Sequence, residues 1–176
     1  MRTIQRPLVG EYKPYTIDYI DLVPGDGLVL QHMLDNLQAT KDLILAQPAE
    51  KLAYRFAPGE WTVKEILVHV SDTERIFAYR ALRFARNDAT ALAGFEQDDY
   101  VPASHANERS IEDILEELTA VRMATIALFK NLPEEALTKS GPWDGSNLSV
   151  RAAAHIIAGH EVYHIKSIKQ NYLSEK

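Results

Sequence analysis

Four stretches of roughly twenty residues carry apolar side chains at the three- and four-residue spacing of a helix. The first runs over about 27–46, with Leu30, Met33, Leu34, Leu37 and Ile44 on one face, and Pro48 closes it. The second opens on a Thr62–Glu65 capping box, with Trp61 and Ile66 in the staple positions. Its stripe of Val63, Ile66, Leu67, Val70, Phe77, Ala81 and Phe84 predicts a helix to about Arg86. The third starts at Ser110 and keeps Ile114, Leu115, Leu118, Val121, Thr125 and Phe129 on one face until Pro133 ends it. The fourth takes Ser149 as its N-cap and runs to about Asn171, with Val150, Ala153, Ile157, His160, His164 and Ile168 on its stripe. No segment reads as a strand pair. An all-α chain folded as an up-down four-helix bundle is the architecture this pattern predicts.

The connections are unequal. Residues 87–109 form a long link between the second and third stretches, and loops of that length in compact domains are functional or disordered. Phe95 and Tyr100 read as buried there, which predicts an ordered loop. Residues 140–147 are rich in turn formers and carry Trp143. Residues 1–25 have mixed character, so the expected layout is an N-terminal arm of 1–25 and a bundle domain of 26–176.

At 176 residues the chain suits one domain with a proper core. A net charge of −6 argues against nucleic acid as a partner, because phosphate binding wants a basic face. No apolar run approaches a membrane span, and the N-terminus leads into no apolar signal segment. There is no cysteine, so disulfides and a protein thiol nucleophile are excluded, and a cytoplasmic location is expected. Any thiol chemistry would need sulfur carried by a substrate.

The segment His160-Glu161-Val162-Tyr163-His164 places two imidazoles one helical turn apart. On a wheel they fall about 40° from each other, inside the apolar stripe. Two inward polar rings at that spacing suit a shared metal ion better than a core. The letters match the zinc-protease pattern H-E-x-x-H. That pattern takes its third ligand downstream, where residues 165–176 offer only Glu175, so the protease reading fails and the third ligand must lie upstream. His69 flanks the stripe of the second helix and is either a hydrogen-bonded core residue or a ligand. His155 falls on the side of Lys166 and Lys169 and is expected to be solvated. His32 sits at a stripe edge, and His105 in the long loop. Glu161 points to the apolar side, where a carboxylate needs a partner. It is either an ion-pair member or a catalytic group that orients a ligand or shuttles a proton. Asp72 and Glu74 read as partners of Arg75, Arg80 or Arg83, or as groups orienting His69. Asp98 and Asp99 read as solvated turn residues.

The run Phe56-Ala57-Pro58-Gly59-Glu60-Trp61-Thr62-Val63-Lys64-Glu65-Ile66-Leu67-Val68-His69, followed by Asp72-Thr73-Glu74-Arg75, resembles the second helix of the DinB-like, YfiT-like superfamily. Gly159 to His164 resembles its fourth helix, Ser149-Val150-Arg151 the start of that helix, and Phe95 to Tyr100 an intervening stretch. The resemblance covers about 25–172. It implies a four-helix bundle with a long crossover connection and a divalent ion held by three histidines, which fall here on His69, His160 and His164. Many members have a further histidine where this chain has Tyr163.

The resemblance implies transfer of a low-molecular-weight thiol to an electrophilic small molecule, or metal-dependent hydrolysis. Three imidazoles with one open position fit catalytic zinc. The ion would hold a thiolate in the first case and a hydroxide in the second. The absence of cysteine favours thiol transfer, with the loops at 87–109 and 140–148 supplying the pocket. The other readings are hydrolysis with the same ligands and a non-catalytic metal-binding or interaction protein. Zinc and nickel head the expected metals, and iron, manganese and copper also take imidazole. The expected partners are a small-molecule electrophile and a small thiol, with no nucleic acid and no membrane. The resemblance also carries an expectation of a homodimer.

Overall fold

The computed structural model describes residues 2–88 and 90–174, so Glu175 lies outside the described residues. Its helices are α1 (Ile17–Ile20), α2 (Val29–Leu45), α3 (Ala49–Leu52), α4 (Val63–Ala85), α5 (Gln97–Ala103), α6 (Ile111–Lys130) and α7 (Val150–Asn171). The four long ones are the four predicted stretches. Their starts follow the expected chemistry. The Thr62 hydroxyl accepts the Glu65 N–H at 3.1 Å, and the Glu65 carboxylate accepts the Thr62 N–H at 2.7 Å. Ser110 and Ser149 accept the N–H groups of Asp113 and Ala152, each at 3.1 Å.

The architecture is a four-helix bundle. Both α2 and α4 pack on α6 and on α7. α2 and α4 therefore face each other across the bundle, as do α6 and α7. The links that cross the bundle are 46–62 and 131–149, whereas the long 86–110 link joins neighbours. His69 of α4 lies beside α7 at His160, while Phe84 lies beside Gly141, which precedes α7. α4 and α7 therefore run antiparallel.

The apolar core falls into two clusters. One holds Met33, Phe77, Ile126 and Ala158, and the other holds Leu37, Val70, Leu118 and Ile168. On each long helix a polar or charged group lies near the boundary. Arg122 of α6 is 0% exposed and donates to Glu74 of α4 at 2.8–3.1 Å, to Glu161 of α7 at 2.7 Å and to the Met33 carbonyl of α2 at 2.7 Å. The second Glu161 oxygen accepts from the Thr40 hydroxyl of α2 at 2.8 Å. Burial alone would lower the arginine's pKa, and the two carboxylates override it and hold it high. Glu74 thus pairs with Arg122, not with the arginines of its own helix as expected. Asp72 does pair with Arg75, at 3.3 Å.

The N-terminal segment is packed onto the bundle. Ile4, Tyr12, Ile20 and Val23 are buried, the Ile4 N–H donates to the Gly27 carbonyl at 2.9 Å, and Glu11 accepts from Ser149 and Arg151 at the start of α7. α1 lies on α7 so closely that a Cβ at Gly159 would meet the Tyr19 carbonyl oxygen at 1.9 Å. α7 is consequently buried on every side from Ala152 to Glu161. His155, expected in solvent, is 1% exposed because this segment covers its face. Its Nδ1–H donates to the Arg151 carbonyl at 2.9 Å.

Two further expectations are corrected. Residues Ser140–Trp143 (β1) and Ser146–Ser149 (β2) form an antiparallel hairpin, in register Ser140↔Ser149 and Trp143↔Ser146. Asp144 and Gly145 have φ of 45° and 75°, the signature of a type I′ turn. The strands Ser-Gly-Pro-Trp and Ser-Asn-Leu-Ser are too short to show alternation, and the Asp144-Gly145 pair between them was the signal available in the sequence. In the long link, Phe95 is half-buried and stacks on Tyr100 at 5.3 Å, but Tyr100 itself is 48% exposed on α5. Among the described residues no helix is long and apolar enough to cross a membrane.

Replacing Arg122 with Met strands two buried carboxylates, and urea unfolding is expected to show a loss of about 3–5 kcal/mol. A loss below about 1 kcal/mol would contradict the role given to this guanidinium. Gly159→Ala forces α1 off α7, and the same assay should read a loss of about 1–3 kcal/mol, with faster proteolysis before residue 26.

Candidate metal centre

Three histidines from two helices meet at the face between α4 and α7. His69 stands in the second turn of α4, and His160 and His164 stand one turn apart on α7. The Nε2 atoms of His69 and His160 are 3.1 Å apart, and those of His164 and His160 are 3.0 Å apart. One ligating atom from each ring lies within 4.8 Å of the other two. Three nitrogens held 2.0–2.1 Å from one tetrahedral ion would stand ~3.3 Å apart.

The donor chemistry points the same way. His160 Nε2 faces two other Nε2 atoms at once. It carries either one hydrogen or one in-plane lone pair, so protons alone satisfy only one of the two contacts. A cation satisfies all three lone pairs together. Burial pushes His69 down to about 3, reinforced by the charge of His164. It pushes His164 down to about 4, and holds His160 well below the ordinary histidine range. All three rings are therefore neutral at pH 7, the form that ligates metal.

Aromatic rings wall the cluster. Trp61, just before the α4 cap, lies 4.8 Å from His69 between ring centres. Tyr19 of α1 meets His160 edge-on at 5.3 Å and Tyr163 at 5.3 Å. Tyr163, where the resemblance places a non-ligand histidine, is 47% exposed and 5.5 Å from His164.

A cavity of about 590 Å³ opens from His160 along α4 and α7, a size typical of small-molecule sites. The long link borders it through Leu92 and Phe95, the hairpin through Trp143, and the N-terminal segment through Tyr15 and Tyr19. The two loops expected at the pocket are there. The N-terminal contribution and the side chains of Thr73 and Arg80 were not read from the sequence.

The other candidates lie elsewhere. Glu161 is 1% exposed, and its two oxygens accept from Arg122 and Thr40, on a different side of α7 from the histidines. His32 pairs with Asp26 at 3.0 Å, and His105 pairs with Glu108 at 3.0 Å on the surface. Asp98 and Asp99 are exposed in the first turn of α5.

Comparison with known proteins agrees with this geometry. The family model described as the DinB superfamily matches residues 32–168. A protein of Oceanobacillus iheyensis named "Putative metal-dependent hydrolase OB0413" is 24% identical over 122 residues, which cover 68% of this chain and 69% of that one. The solved structure of YfiT from Bacillus subtilis, described as a probable metal-dependent hydrolase with an unusual four-helix bundle topology, superposes with a TM-score of 0.69. It shares 16% identity, and the match covers 92% of this chain and 94% of YfiT. With its bundle, its histidine cluster and a family match across most of its length, this chain belongs to the DinB superfamily.

Proposed function

We propose that this protein is a metal-dependent hydrolase of small molecules, with His69, His160 and His164 as the ligands of one divalent ion. The observation that carries the reading is the convergence of three imidazole nitrogens, one of which, that of His160, belongs to a ring bordering a cavity of small-molecule size. A divalent ion on three imidazoles supplies a Lewis acid and lowers the pKa of a protic group bound at its free position. The names of the relatives support hydrolysis as the reaction.

The chain's own residues have distinct tasks in this reading. The three histidines hold the ion. Trp61 and Tyr19 keep bulk water from two of the rings. The Tyr19 phenol, raised by burial and by the neighbouring Tyr163 and Tyr15, stays protonated and borders the cavity as a hydrogen-bond donor. Glu161 is a positioning residue: with both oxygens engaged, it fixes the rotation of α7 and leaves proton transfer to other groups.

A second reading, transfer of a small thiol to an electrophile, uses the same ligands. The cavity volume favours it, because there is room for two reactants beside His160. Product analysis separates the two: cleavage without added thiol marks a hydrolase, and a conjugate formed only with thiol marks a transferase.

Elemental analysis of untagged protein should find about one zinc or nickel ion per chain, and His69→Ala or His160→Ala should reduce that content at least about tenfold. Unchanged content in both variants would remove the centre. Glu161→Gln should lower stability but keep the metal.

The metal-free protein should also weaken in acid. The three histidines titrate near 6.5 when unfolded but at about 3, about 4 and well below 6.5 when folded. The unfolded chain then binds more protons, so stability is full above pH 6.5 and falls as pH drops towards the folded values. The slope is at most about 1.4 kcal/mol per pH unit for each histidine. Urea midpoints between pH 7 and pH 5 measure it, and a flat profile would contradict the burial of these rings.

A further inference from the structure

Among the described residues, Arg80 is the one charge in the cavity wall whose surroundings do not account for it. It lies on α4, 11 residues after His69. That step is a wheel angle of about 20°, so the two side chains leave the same face, about 16 Å apart along the axis. Arg80 is 4% exposed and borders the cavity that ends at His160. Its guanidinium carbon lies 5.1 Å from the Phe77 ring centre and 5.5 Å from that of Trp143. These rings fix the plane of the guanidinium but accept none of its hydrogens as a carboxylate would.

Among the described residues no side chain or carbonyl accepts a hydrogen bond from it, and no carboxylate lies within ion-pairing distance. Burial lowers its pKa, and only the more distant Tyr15 and Asp144 act against that. Asp144 is itself paired with Lys13. The other acids of the wall, Glu96 and Asp98, are exposed. The other buried arginine, Arg122, is saturated by Glu74 and Glu161, and the half-buried Arg109 and Arg151 are paired with Glu117 and Glu11. A guanidinium stays charged, and the nitrogens of this one are not sealed in the interior but open onto the cavity, where no protein acceptor meets them. One turn beyond His69, the Thr73 hydroxyl borders the same cavity, buried and without a partner.

We infer that Arg80 receives a carboxylate of the substrate, at the end of the cavity away from the three histidines. A carboxylate matches the guanidinium fork, and Trp143 and Tyr15 supply apolar wall beside it. The substrate class is then a small anionic molecule, with its charge on Arg80 and its reacting group at His160. Thr73 meets the polar part between. The assignment of a reacting group to His160 rests on the hydrolase reading, whereas carboxylate capture by Arg80 does not.

Calorimetric titration of metal-free and metal-loaded protein with benzoate and its neutral counterpart benzamide tests this. Benzoate should bind at least about tenfold more tightly than benzamide in both forms, as expected for a charged hydrogen bond. Arg80→Gln should abolish the preference, and Arg80→Lys should retain part of it. Equal binding of the two probes, no saturable binding of benzoate, or a preference that survives Arg80→Gln would overturn the inference. A preference seen only with metal bound would also overturn it, since the carboxylate would then be sitting on the ion. Failure to load metal, with the preference intact, would instead remove the hydrolase reading and leave Arg80 as an anion site. If Arg80→Gln does not fold, the Nε–H resonance of Arg80 in the wild type decides: it should shift with benzoate and stay still with benzamide, and the reverse overturns the proposal.

Discussion

One guanidinium, that of Arg122, touches all four long helices. It sits on α6, holds Glu74 of α4 and Glu161 of α7, and donates to the Met33 carbonyl of α2. Desolvating an arginine and two carboxylates is expensive, and apolar residues of the same volume would serve stability as well. What such a knot supplies is geometry. An apolar interface tolerates small rotations of a helix, whereas a two-pronged contact to Glu74 and a single one to Glu161 do not. Glu161 is the residue after His160, so turning it towards Arg122 turns His160 and His164 towards α4. Glu74 is five residues after His69 on α4 and is fixed by the same guanidinium. Both halves of the histidine cluster are therefore set by one buried charge.

The cluster gains its chemistry from the same burial. Desolvation keeps the three rings neutral, which leaves their nitrogens free to take a cation instead of a proton. It also leaves His160 Nε2 facing two nitrogens that protons cannot satisfy together. His160 borders the cavity, His164 is partly exposed beside Tyr163, and Trp61 and Tyr19 stand against the rings elsewhere.

Much of the bundle was legible in the sequence, because periodicity and caps are local signals. Thr62, Ser110 and Ser149 start their helices where the letters say they should. The pair His160 and His164 was legible for the same reason. His69 was not settled by its own helix, since a flank position serves core or ligand equally, and the resemblance to a known superfamily singled it out. Most of the misses are nonlocal. His155 looked solvated because α7 was read as one-sided. The run Ala152-Ala153-Ala154 and the pair Ala158-Gly159 were the overlooked signal that backbone packs on backbone all round. Arg122 sits in a stripe position between Leu118 and Thr125, but only the fold shows that Glu74 and Glu161 meet it. Arg80 looked like a surface partner for acids on its own helix, and the hairpin that brings Trp143 beside it was signalled only by Asp144-Gly145, since its four-residue strands show no alternation.

The three histidines and the walls come from different parts of the chain, and this bears on how such a site diversifies. His69, His160 and His164 lie within residues 32–168, the span shared with the family model. Tyr15 and Tyr19 lie before it, on a segment that docks at Gly159 directly against the helix bearing His160 and His164. The remaining wall is loop and hairpin, elements whose length and side chains can change without disturbing the Arg122 knot. A bundle built this way can keep one metal-binding geometry while its cavity is refitted to another molecule. Arg80 stands on the boundary between the two parts: it is rooted in the α4 that carries His69 and Phe77, yet its guanidinium also lies against Trp143 from the hairpin. A change in the hairpin would then alter one wall of the guanidinium without touching the three histidines.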